Sequence, residues 1–255
     1  LLSGADLFAD LPAVHGGADP LAQAAHLAHA TRTVPGTEAF WQAPWLFPGR
    51  WAQLYLDPMV GPSVVARVVP GDDPAFDYHV ALWFTVATSV LAMAWCARRF
   101  GVGSGFALAA GVVYAVGPYA AGHFHHLNQV PSAWLPLAFG ALHATLRGER
   151  PWRGVALFVA AVALQASWSV YATAALVFGA VVLAAGLGRA RERMRPLVAI
   201  ALGTVAVLAV AAIPYLLAGR AVDGFGREAT ESLAFQARWF DLWKAADPRL
   251  LPWPT

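Results

Sequence analysis

The chain has 255 residues, a formal charge of +2, and 13% charged against 58% hydrophobic side chains. With a mean hydropathy of +0.54 it is too apolar for an ordinary soluble domain, where roughly a quarter of residues are charged, and the composition points to a bilayer. The near-neutral balance leaves no basic footprint, so nucleic acid is excluded as a partner. The single cysteine excludes an intrachain disulfide, and Cys96 reads as a small buried hydrophobe.

The first 77 residues read as an extracytoplasmic loop region (1–77) carrying short surface helices. Asp19-Pro20 opens a helix through Thr31, because Asp suits an N-cap and Pro the first helical position. His26 and His29 fall on it and are expected at its surface. A loop rich in Pro, Gly and Trp follows over 34–51. Asp57-Pro58 then opens a second short helix, with Val60, Val64 and Val68 forming an apolar stripe suited to a membrane surface. Asp72-Asp73-Pro74 leads into the first apolar run.

A helix needs about 20 apolar residues to cross a bilayer, and residues 78–97, 102–121, 127–146 and 196–218 reach that length. Residues 154–188 are too long for one crossing and have arginine-rich flanks, so they are read as two short spans, 153–167 and 171–188, turning at Ser167-Trp168-Ser169. The connectors alternate in chemistry. Arg98-Arg99, 147–153 and 189–195 are basic, while 122–130 and 167–171 contain no Lys or Arg. Because cytoplasmic loops retain Lys and Arg, the six-span bundle (78–218) is expected to start and end outside, leaving 219–255 as a second extracytoplasmic segment. Trp134, Trp152 and Trp168 near span ends are expected as interfacial anchors. Pro118, Pro131, Pro136 and Pro214, near outer ends, suggest irregular backbone around a vestibule. The chain opens on Leu1 and closes on Leu251-Pro252-Trp253-Pro254-Thr255. Both ends are expected to continue, with a further apolar span ending within about 20 residues before Leu1.

Residues 80–96, 103–122 and 197–219 contain no Asp, Glu, Lys, Arg or His, which argues against an ion-coupled transporter, since such proteins place ionisable groups near the midplane. The candidate chemistry therefore gathers outside. Asp19, after Gly16-Gly17-Ala18, is the candidate catalytic acid, with N-capping as its alternative role. Asp57, Asp73 and Asp247 also precede proline and read as caps. His123, His125, His126 and Asn128 form a dense polar cluster that could bind an anionic headgroup, a metal or neither. Its spacing lacks the i, i+4 histidine pair of a zinc helix. Gln165, Ser167, Ser169 and Tyr171 surround the second outer turn. Arg32, Arg50 and Arg67 each offer a guanidinium for phosphate, with Arg50 taken as the candidate contact.

The ordered set Ala18-Asp19-Pro20, Asp77-Tyr78, Gly117-Pro118-Tyr119, His123-x-x-His126-Leu127, Trp134-Leu135-Pro136-Leu137 and Leu164-Gln165 to Tyr171 resembles bacterial multi-pass membrane proteins of the GT-C glycosyltransferase superfamily. The nearest likeness is to its YfhO-like and dolichyl-phosphate-mannose-mannosyltransferase-like groups. The resemblance implies an all-α polytopic transmembrane helical bundle of GT-C type and transfer of a sugar from a polyprenyl-phosphate donor to an acceptor at the extracytoplasmic face. It implies Asp19 as the catalytic acid, and His123, His126, Asn128, Gln165, Tyr171 and Arg50 as contacts to lipid phosphate or sugar. The expected partners are a polyprenyl-phosphate-linked sugar and membrane lipid. The cofactor is left open; a divalent metal ion is the candidate, with Asp19, His123 and His126 as candidate ligands. Two departures stand out: Asp19 lacks the paired acid of many active members, and the second outer loop carries histidines where others carry Asp or Glu. The alternative function is transport of a lipid-linked intermediate or a non-catalytic membrane scaffold.

Overall fold

The structure, a computed structural model, describes residues 18–43, 51–54, 57–69, 73–124, 126–187 and 193–222. It is helical throughout, with no strand among the described residues. Three short helices come first: α1 (Ala18–Arg32), α2 (Glu38–Trp41) and, after a 3-10 turn at Ala52–Leu54, α3 (Val60–Val68). The bundle follows as α4 (Pro74–Arg99), α5 (Ser104–Val116), α6 (Pro118–His123), α7 (Trp134–Arg147), α8 (Pro151–Trp168), α9 (Val170–Gly186) and α10 (Met194–Ala221).

Local sequence explains several helix ends. Asp73 caps α4 by accepting the Ala75 N–H at 2.8 Å, with Pro74 in the first turn. Thr37 caps α2 and Ser169 caps α9 in the same way. Gly148, at φ 81°, ends α7 in the left-handed conformation glycine tolerates best. At Gly117-Pro118 the expected 102–121 span breaks into α5 and α6. The second helix of the N-terminal region departs from expectation. Asp57 does not cap α3, whose N-cap is Met59 at φ 54° with no side-chain cap.

Among the described residues, three stretches are long and apolar enough to cross a membrane: Pro74–Arg99, Ser104–His123 and Met194–Ala221. Of the six expected spans, 127–146 is the most altered. Its first seven residues are irregular, and α7 has only 14 residues. Pro131 offers no N–H to a helix ladder, and side chains take up the free carbonyls instead. Tyr78 donates to Phe124 O at 2.9 Å, Ser89 to Pro131 O at 2.6 Å and Tyr114 to Ser132 O at 2.9 Å. Irregular backbone among apolar helices is tolerated when it is buried in protein or faces a cavity, and residues of this segment do both. The expected spans 153–167 and 171–188 become α8, of 18 residues, and α9, of 17.

Two apolar clusters hold the molecule. One joins Ala24, Leu27 and Met59 of the N-terminal region to Leu82 and Val86 of α4 and Leu127 and Val130 of the irregular segment. The other packs Leu142 and Leu146 of α7 against Phe158 and Val162 of α8, Leu176 of α9 and Ile200 of α10. Large apolar side chains remain outside both: Phe106 is 81% exposed, Phe178 72% and Leu202 67%. Helices that are apolar all round belong in lipid, and these surfaces support membrane association. The α3 stripe is likewise uncovered at Val64 and Val68. Trp152 is exposed, but Trp168 is 3% exposed, stacked near Phe84 and edge-on to Trp134, so it is a core residue rather than an interfacial anchor.

The two sets of connectors collect at opposite ends. At the arginine end, Arg99 pairs with Glu149 at 2.9 Å and the Arg193 guanidinium lies against Gly148. At the other end lie the irregular segment, the α8–α9 turn and the N-terminal helices. The bundle depends on close approach of α4 and α5, where Gly111 faces the Val90 carbonyl with no room for a Cβ. Gly111→Leu should therefore destabilise the protein by about 1–3 kcal/mol. Gly105→Leu on the same helix, where a Cβ meets nothing within 4 Å, should be close to neutral, a contrast measurable by thermal unfolding in detergent.

Candidate functional site

The polar end is organised around a carboxylate. Asp57 is 2% exposed; its Oδ2 accepts from Asn128 Nδ2 at 3.0 Å and its Oδ1 from the Val170 N–H at 2.9 Å. The Ser169 hydroxyl also bonds to it. These contacts explain why Asp57 does not cap α3, because both of its oxygens are used across the fold. Burial pushes its pKa above the ordinary carboxylate value, against the opposing pull of the Val170, Ser169 and Asn128 hydrogen bonds.

Two further contacts attach the N-terminal region. Gln23 Nε2 donates to Asn128 Oδ1 at 3.3 Å. His26, fully buried rather than on the surface as expected, places Nε2 3.0 Å from the Asp57 backbone oxygen, so that nitrogen carries the proton. Burial lowers the His26 pKa to about 4, outweighing that hydrogen bond. His29 Nε2 contacts the carbonyls of Ala39 and Phe40 at 3.0 and 3.1 Å. Arg67 is engaged at the end of α1, donating to Ala30 O at 2.6 Å and to Thr33 O.

Beside this network is a cavity of about 560 Å³ between α5, the irregular segment, α8 and α9. Asn128, Gln165 and Tyr171, all expected as substrate contacts, lie on its wall together with Tyr114, Tyr119 and Ser132. None of the described residues lining it carries a charge. Gln165 is fully buried and its Oε1 accepts from the Ser132 hydroxyl.

The other expected residues stand differently. His123 is off the cavity wall; its ring stacks on Tyr119 at 4.3 Å and its Nδ1 lies 2.7 Å from the Tyr119 carbonyl. The backbone of His126 closes the turn that follows, its carbonyl accepting from the Gln129 and Val130 N–H groups at 2.8 and 3.2 Å. Asp19 is in the first turn of α1, four residues before Gln23, but its side chain lies outside the described residues, as do Arg50, His125 and Asp247 entirely. Among the described residues no three His, Cys, Asp or Glu side chains are grouped to hold a metal. With His123 Nδ1 engaged at Tyr119, the described residues do not fit a divalent ion, and no chemistry is routed through one.

Asp57, His26, Gln23 and Ser132 were not legible as site residues. Asp57-Pro58 has the same local form as Asp73-Pro74, which does cap a helix, and its partners lie 71 and 113 residues away. No family model, curated protein or solved structure matches the chain. Among the described residues, fold and site together define a helical protein with three stretches long and apolar enough to span a membrane and a cavity at its polar end whose described wall is uncharged.

The low His26 pKa has a stability consequence. Folding disfavours its protonated form, so between its unfolded value near 6.5 and its folded value near 4 the unfolded chain binds more protons, and stability falls as pH drops through that window. Asp57 acts in the opposite sense, because its raised pKa makes stability fall as pH rises above the unfolded carboxylate value. His26→Gln should flatten the loss between pH 6.5 and 4 in thermal unfolding. Asp57→Ala should destabilise the protein at pH 7 by about 1–3 kcal/mol for each buried donor left without an acceptor.

Proposed function

We propose that the protein is an integral membrane glycosyltransferase of GT-C type, moving a sugar from a polyprenyl-phosphate donor to an acceptor at the extracytoplasmic face of the bacterial inner membrane. The observation that carries this reading is the joining of α1 to the cavity wall. Gln23, one helical turn after Asp19, bonds to Asn128, and Asn128 lines a cavity enclosed by apolar helices. On this reading the acid in the first turn of α1, four residues before Gln23, serves a lipid-borne substrate held in that chamber. The six-crossing topology rests on the alternation of arginine and uncharged connectors, which the structure keeps at opposite ends.

In the proposed reaction the Asp19 carboxylate takes the proton from the acceptor hydroxyl as that oxygen attacks the anomeric carbon. The bond from the anomeric carbon to the phosphate oxygen breaks with inversion, and polyprenyl phosphate departs with the electron pair. His123 and His126, with Arg50, would offset charge on the departing phosphate. The stacking of His123 on Tyr119, which lines the cavity, supports its assignment.

The alternative, a non-catalytic protein that carries or holds a lipid-linked intermediate, is favoured by one observation: the described cavity wall has no ionisable group apart from tyrosine hydroxyls. Asp19→Asn separates the two. For a transferase, the variant in the complete protein should lose transfer to a glycolipid product by a factor of about 10² or more while its thermal unfolding is unchanged. Transfer or transport that persists at the wild-type rate overturns the role assigned to Asp19.

A further inference from the structure

We infer that the cavity between α5 and α9 binds the uncharged, hydroxyl-bearing headgroup of a membrane lipid, such as the sugar of a neutral glycolipid. As the acceptor of the transfer proposed above, that lipid rests on the transferase reading; its binding does not.

The first observation is an amide with half its capacity unused. Gln165 is fully buried on the cavity wall; its Oε1 accepts from Ser132, while its Nε2 has no hydrogen-bond partner among the described residues. A buried donor without an acceptor is costly, and Gln165 lines a chamber of about 560 Å³, within the roughly 300–1,000 Å³ range of small-molecule sites, so its amide is the attachment point assigned to a ligand oxygen. The donor is neutral. With no charged group on the described wall, a phosphate or carboxylate would be desolvated there without a counter-charge, which is strongly unfavourable. A hydroxyl or ring oxygen requires none.

The second observation is the rim. Tyr119 and Tyr171 line the cavity yet are 60% and 65% exposed, which puts them at its open edge, with the Tyr119 ring stacked on His123. An aromatic body with a polar tip suits a ligand apolar on one side and hydroxylated on the other. The third concerns access. The helices beside the rim expose Val113 and Phe178 at 66% and 72%, a surface that lipid covers, so the ligand enters with its chains in the bilayer and its headgroup at Gln165. Charge also separates this site from the phosphate chemistry assigned to His123 and His126, which are not on its wall.

The test uses the complete chain in phosphatidylcholine nanodiscs, with equilibrium binding of labelled monoglucosyl-diacylglycerol. The wild type should bind it saturably; unlabelled phosphatidylglycerol and free glucose should fail to compete at equal concentration. Gln165→Met should weaken binding about tenfold, the effect of one hydrogen bond worth a factor of ten. Tyr119→Ala, at an exposed position where folding is not at stake, should also weaken it, and it decides the matter if Gln165→Met does not fold. Equal competition by phosphatidylglycerol overturns the neutral-headgroup assignment, and equal competition by free glucose overturns the lipid-borne one. Binding unchanged in Tyr119→Ala overturns the site. Specific glycolipid binding by a protein that transfers no sugar upholds the inference while removing the transferase reading.

Discussion

A single buried carboxylate determines how the polar end is assembled. Asp57 ties three segments distant in sequence, accepting from Asn128 in the irregular connector and from Ser169 and Val170 at the α8–α9 turn while belonging itself to the N-terminal region. Asn128 and the Asp57 backbone carbonyl then receive Gln23 and His26 of α1. Burying a carboxylate is unfavourable unless its oxygens are satisfied, and here both are. The raised pKa records the part of the desolvation cost that these hydrogen bonds do not offset.

The opposite end is held by different physics. Its arginines are mostly solvent-facing, and the Arg99–Glu149 pair has half-exposed partners, a type of contact worth little to stability. Packing does the work there, through Gly140 against Trp95, Gly154 against Thr145 and the α7–α8 apolar seam. One end is thus specified by buried polar pairing and the other by close helix contact, and the cavity is at the end where pairing decides position.

The cavity exists because a helix does not form. Had residues 127–133 continued α7 toward its N-terminus, the Asn128 amide would not meet Asp57, and Ser132 would not reach Gln165. Instead the segment folds between α4, α5 and α8, with its Pro131 and Ser132 carbonyls taken by Ser89 and Tyr114 and the Phe124 carbonyl just before it taken by Tyr78. The absence of charged side chains from the described wall sets what the chamber can hold, as long as water is largely excluded and no counter-ion accompanies the ligand.

The sequence by itself determined the helical class, apolar runs long enough to cross a membrane, the alternation of connectors and several helix ends, because these depend on composition, apolar run length and capping residues adjacent in the chain. It also marked Asn128, Gln165 and Tyr171, which the structure gathers around one cavity. Asp73 behaves as its local sequence dictates. Asp57 has the same local signal and does not, since Asn128 and Val170 compete for its oxygens once the chain has folded. In the same way His26 became a core residue, Trp168 left the interface for the core and the 127–146 run split. Tertiary structure decided these points because each depends on hydrogen-bond or packing partners tens of residues away, and hydropathy cannot distinguish a lipid-facing helix from an apolar segment whose carbonyls are bonded by neighbouring hydroxyls.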